Sequence, residues 1–118
     1  VMVAPSVSDG TPISMLEAMA AGALPLLSPV ESIQEWVQDG LNGLLAHARD
    51  PEQIAGALRR ALTDDGLCRR AATVNRAIVL ERANRDVIRQ RVLAYYRRVL
   101  HLRREAPRGN TPAPRRAA

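Results

Sequence analysis

The chain has no phenylalanine, no lysine, one cysteine, one tryptophan and two tyrosines among its 118 residues. Each shortage excludes something. With aromatics at 3%, the core has to be built from Leu, Val, Ile, Ala and Met, and a base-stacking nucleic-acid surface is not expected. A lone Cys68 cannot form an internal disulfide, so a reducing, cytoplasmic setting is the simpler expectation. No apolar run reaches the roughly 20 residues that a membrane-spanning helix needs, and there is no signal-peptide pattern. His47 and His101 have no Cys, Asp or Glu at metal-ligand spacing, so both read as incidental. There is no internal repeat.

What is present is a globular composition, 47% hydrophobic, with an uneven charge. All 17 basic residues are arginine, and the net charge of +5 conceals a split. Residues 1–65 hold nine acids against Arg49, Arg59 and Arg60, a balance of −6. Residues 66–118 hold fourteen arginines against Glu81, Asp86 and Glu105, a balance of +11. Two regions with different neighbours are implied.

Apolar runs and punctuation set the elements. Val1-Met2-Val3-Ala4-Pro5 reads as a short buried strand. Thr11 is placed to cap a helix whose first position is Pro12, and Gly22 suits the C′ position that ends it. Leu24 to Leu27 and Leu44 to Ala46 read as two more strands, with a helix from Glu31 to Gln38 between them and an Asn42-Gly43 turn before the last. Asp50-Pro51-Glu52 opens a further helix with its acids at the positive end of the dipole. Alternation of strand and helix predicts an α/β fold, a Rossmann-like parallel sheet of about three short strands with right-handed crossovers. Three strands are few for such a sheet, and the chain opens on Val1 already inside a strand. It is therefore expected to be a piece of a longer protein, with the second half of the sheet in 1–64.

A helical extension is expected over 65–104. One helix spans Leu67 to about Glu81, past the helix stop and turn at Asp64-Asp65-Gly66. A longer one runs from Arg85 to Arg104, with Ile88, Val92, Tyr95, Val99 and Leu102 at alternating spacings of four and three. Residues 105–118, rich in Pro, Gly and Arg, read as a disordered tail.

The chemistry concentrates in Asp9 to Gly22. Asp9 and Glu17 stand eight residues apart, one before a helix start and one inside its first turns. Each ionised carboxylate can accept hydrogen bonds from a pair of hydroxyls. The free N–H groups of the helix start can receive a phosphate. Sugar, phosphate and ribose in a row describe a nucleotide sugar. The ordinary readings are that Asp9 is a turn residue and Glu17 a solvated helix residue, with Ser14 on the surface and Met15 and Met19 in the core.

Three blocks in order carry a resemblance: Pro5-Ser6-x-Ser8-Asp9-Gly10-x-Pro12, Leu16-Glu17-Ala18-Met19-Ala20-x-Gly22, and Glu35-Trp36-Val37 followed by Asp39-Gly40-x-Asn42-Gly43-Leu44-Leu45. Residues 1 to about 100 resemble the end of the retaining, GT-B-fold glycosyltransferases of group 1, or family 4. Where the family has a pair of glutamates separated by seven residues, this chain has Asp9 and Glu17. The family's paired glycines before the Glu35 helix are replaced by Pro29-Val30-Glu31-Ser32.

The resemblance implies that Asp9 binds donor-sugar hydroxyls and acts as the catalytic carboxylate. It implies that Asp9, Gly10, Thr11, Pro12 and Ile13 approach the sugar and diphosphate, and that Glu17 holds the ribose of a UDP- or GDP-linked, hexose-like donor. It implies transfer with retention to a glycan or lipid-linked acceptor, with no cofactor and no metal. The acceptor domain, an N-terminal domain of the same protein on which the last helices pack, would lie outside this chain, which alone would be inactive. Some members also contact anionic membrane, here at the inner face. The alternative is a basic helical interaction module on an inert α/β base, binding anionic membrane or nucleic acid. Its nucleic-acid form is disfavoured, since only Tyr95 and Tyr96 interleave the arginines.

Overall fold

The computed structural model describes residues 1–105; of the tail expected at 105–118, Glu105 ends a helix and the rest lies outside the described residues. The element order is β1 (Met2–Ala4), α1 (Ile13–Ala20), β2 (Pro25–Leu27), α2 (Glu31–Gln34), β3 (Leu44–Leu45), α3 (Pro51–Thr63), α4 (Asp65–Arg82) and α5 (Arg85–Glu105). The strands form one parallel sheet in the order β1-β2-β3, as expected of the α/β reading. Val3 pairs with Leu26, and Leu26 in turn with Leu44.

Strand periodicity divides the core. Successive side chains on a strand point to opposite faces, so Leu26 and Leu44 face one way and Leu27 and Leu45 the other. On the first face Leu24, Leu26, Leu44 and Ala46 pack with Ala61 of α3 and with Leu67 and Ala71 of α4. On the second, Leu27 packs with Met15 and Met19 of α1 and with Ile33 and Val37, and Leu45, Ile78 and Val79 close the cluster. Met15 and Met19 are fully buried, as their spacing of four suggests. Helix α4 thus contributes at its start to one face and further along to the other. It is part of a compact unit spanning Val1–Asn84, so the boundary expected after residue 64 falls inside that unit, between α3 and α4.

Local details depart from the sequence reading in three places. Thr11 does not cap α1. Pro12 is the N-cap residue, held in an extended conformation at φ −71° and ψ 125°, and no side chain caps the helix. Its ring fixes φ while its carbonyl accepts from the N–H groups of Met15 and Leu16. Helix α2 is shorter than expected. The Gln38 N–H, which a longer helix would direct to its own carbonyls, donates instead to Asn42 Oδ1 at 2.7 Å. Helix α4 starts earlier, at Asp65, because the Asp64 carboxylate accepts from the Leu67 N–H at 2.8 Å and caps it.

At the other end of α1 the expectation holds. Gly22 adopts φ +80°, its N–H donates to Met19 and that of Ala23 to Ala18, the paired bonds of a Schellman stop.

The second unit begins at Arg85 and, within the described residues, consists of helix α5. Ile88, Val92, Tyr95, Val99 and Leu102 are all exposed along it. No helix of the described residues is long and apolar enough to cross a membrane.

Candidate functional site

Helix α1 separates its roles by face. Met15 and Met19 anchor it to the sheet with Leu16 packed beside them, and the opposite face is turned outward by the helical period. Ile13, 73% exposed, and Glu17, also exposed, follow at i and i+4 on that outward face. Asp9, Gly10 and Thr11 are exposed in the loop before it, and Pro12 is half-buried. No hydrogen bond or ion pair joins Asp9 to Glu17 among the described residues, which leaves both carboxylates free to accept from a ligand.

Between them the helix start is open. The N–H groups of Ile13 and Ser14 have no acceptor among the described residues, and Pro12 has no N–H to offer. An uncapped start of this kind carries a partial positive charge and two aimed donors. The loop that brings Asp9 to it is held from α2. The Ser32 hydroxyl donates to the carbonyl oxygens of Asp9 at 2.8 Å and Gly10 at 3.2 Å. Ser32 is one of the four residues that stand where the family carries its glycine pair.

A second concavity lies apart from these residues. At the carboxyl ends of all three strands an open cleft of about 270 Å³ is lined by Ser6 and Val7 after β1, by Ser28 to Val30 after β2, and by His47 to Arg49 after β3. Ligand clefts of parallel sheets characteristically form at this edge. None of Asp9, Gly10, Thr11, Pro12, Ile13 or Glu17 lines it. Sequence reasoning set His47 aside and gave Arg49 and Ser6 no role. The signal that could have found them is positional: all three fall within four residues after a strand end.

The rear of the fold is fixed by a buried polar pair. Asn42 and Asn75 are both buried, and the Asn42 side-chain amide donates to Asn75 Oδ1 at 2.9 Å and to the Trp36 carbonyl at 2.9 Å. The Asn75 amide returns a bond to the Asn42 carbonyl at 2.8 Å. Nearby, the Arg82 guanidinium stacks 4.2 Å from the Trp36 ring centroid and donates to the Glu35 carbonyl at 2.7 Å. These contacts are structural and brace α2 on α4. Among the described residues no three of His, Cys, Asp and Glu converge as a metal site would require.

Residues 1–64 match the family model described as glycosyl transferases group 1. An uncharacterized glycosyltransferase of Methanocaldococcus jannaschii is 33% identical over 87 residues, covering 74% of this chain and 20% of that protein. The N,N'-diacetylbacillosaminyl-diphospho-undecaprenol alpha-1,3-N-acetylgalactosaminyltransferase of Campylobacter jejuni is 30% identical over 100 residues, covering 85% of this chain and 26% of the relative. The alpha-maltose-1-phosphate synthase of Mycolicibacterium smegmatis is 34% identical over 105 residues, covering 84% and 27%. The chain therefore spans between 20% and 27% of the length of these curated relatives. The three-stranded parallel sheet and a family match over 64 residues agree, and the chain belongs to the group 1 glycosyltransferases.

Proposed function

We propose that this chain forms the donor-binding wall of a retaining glycosyltransferase that uses a nucleotide sugar. The observation that carries the reading is the uncapped start of α1, with exposed Asp9 before it and exposed Glu17 on its outward face. In this reading Glu17 accepts from the two ribose hydroxyls of a UDP- or GDP-linked donor. The N–H groups of Ile13 and Ser14 face the diphosphate, and Asp9 accepts from hydroxyls of the sugar, with the backbone from Gly10 to Thr11 lying alongside. Transfer breaks the bond between the anomeric carbon and the diphosphate and forms one to an acceptor oxygen on the same face. The acceptor proton leaves to the departing phosphate, and donors aimed at that phosphate stabilise its developing charge.

The acceptor and the remaining donor contacts would come from outside this segment, a reading supported by its spanning at most 27% of the relatives' length. Two relatives carry phosphate in the names of their substrate or product, which favours a phosphorylated, glycan or lipid-linked acceptor.

The test is binding by the 118-residue chain, followed by amide chemical-shift mapping with UDP and with GDP. One nucleotide should shift Thr11, Ile13, Ser14 and Glu17 saturably. Glu17→Ala should weaken that binding about tenfold, the effect of losing a charge-assisted pair of hydrogen bonds. Unchanged affinity in a folded Glu17→Ala chain would remove the proposal.

A further inference from the structure

The cleft at the strand ends is chemically distinct from the α1 start, and nothing in the proposed donor site uses it. Its polar side chains come from three separate loops. Ser28, only 3% exposed, accepts the Ser6 N–H on its hydroxyl oxygen at 3.1 Å, so its own proton remains to be donated. The Ser6 hydroxyl is buried and has no hydrogen-bond partner among the described residues. An orphaned buried hydroxyl costs free energy unless something occupies it, and here it belongs to a residue lining an open cleft. Arg49 and the His47 ring have no ion pair or side-chain hydrogen bond among the described residues.

Charge decides the kind of ligand. No carboxylate lines the cleft. Two acids sit next to lining residues: Asp50 is committed to capping α3, where it accepts from the Gln53 N–H at 3.0 Å, and Glu31 lies in the first turn of α2 and does not line the cleft. Two hydroxyl donors, an imidazole and an unpaired guanidinium, offered together without an acid, fit an oxyanion with several acceptor oxygens. The remaining wall, from Val7 to Pro29 and Val30, is apolar and suits whatever carbon-bearing group the anion is attached to.

We propose that this cleft is a phosphoryl subsite, in which Arg49, the Ser6 and Ser28 hydroxyls and His47 hold a phosphate ester or diphosphate. The phosphoryl group can come from the acceptor or from the donor, and only this choice of source rests on the glycosyltransferase reading above. The geometry favours the acceptor, because the donor elements at Asp9 to Glu17 do not line the cleft.

Titration of the whole chain with inorganic pyrophosphate, followed by amide and arginine side-chain resonances, tests the subsite directly. Saturable shifts are expected at Ser6, Ser28, Ala48 and the Arg49 side chain. Arg49→Gln should weaken binding about tenfold and Ser6→Ala about threefold. A double Arg97→Gln, Arg98→Gln chain should bind pyrophosphate in the cleft as before, which controls for non-specific attraction to α5. Glucose 1-phosphate and UDP separate the sources. Cleft shifts with glucose 1-phosphate that survive Glu17→Ala assign the acceptor; cleft shifts with UDP that weaken in Glu17→Ala assign the donor. Either result supports the subsite. Shifts confined to α5, or binding indifferent to Arg49→Gln in a folded chain, would overturn it. A failure of Glu17→Ala to affect UDP would count against the donor site alone.

Discussion

Gly43 shows how little room single residues have in this fold. A Cβ built on it would lie 2.5 Å from Val37 Cγ1 and 2.9 Å from the Pro25 carbonyl oxygen, the second of which is backbone and cannot rotate away. Gly43→Ala should therefore destabilise the chain by about 2 kcal/mol, as overpacking does. A urea titration followed by Trp36 fluorescence would measure it, and a change under 0.5 kcal/mol would contradict the close approach. The Asn42-Gly43 pair was legible as a turn, because both residue types favour one. That Asn42 is buried was not. Its partner Asn75 lies 33 residues away in a helix whose periodicity marks the position as neither special nor apolar. The site residues divide in the same way. Asp9 and Glu17 stood out as two carboxylates flanking a helix start, at a spacing that the family shares. Ser6, His47 and Arg49 acquire meaning only when three strands in register bring their ends together, and their place just after the strand ends is the sole trace of that in the sequence.

At the scale of elements, order and type followed from the sequence while boundaries did not. Short apolar runs bounded by Pro, Gly or Asn marked three strands, and the parallel sheet follows. Helix ends were set by side chains reaching to backbone: Asn42 shortens α2, and Asp64 starts α4 at Asp65. Asp64 is also the residue at which α3 ends, so one carboxylate both marks a stop and caps a start. Asp64→Ala should cost about 1 kcal/mol, the usual loss of an N-cap. Asp64→Asn, which keeps an acceptor oxygen at the same place, should recover most of it. Thermal unfolding of the two variants by circular dichroism separates them, and equal losses would show that charge, not capping, is what Asp64 supplies. The Arg60 side chain approaches Asp64 at 4.0 Å, but both are substantially exposed, so that pair adds little.

For the molecule as a whole, the compact unit of residues 1–84 depends on α4 reaching both faces of a small sheet. The Asn42–Asn75 bonds tie the loop before β3 to the middle of that helix. This contact has a kinetic consequence. Joining residues 33 apart requires closing a long loop before any hydrogen bond compensates, and the bonds need α2, β3 and α4 near their final places to form. The pair is therefore expected to be a late contact in folding. Asn75→Ala should raise the unfolding rate and leave the refolding rate nearly unchanged, visible as a shift of one chevron arm alone. Slower refolding would place the pair in the nucleus instead. If the contact is late, the two asparagines act as a latch on a fold assembled without them, and they govern how long the native state lasts more than how quickly it is reached.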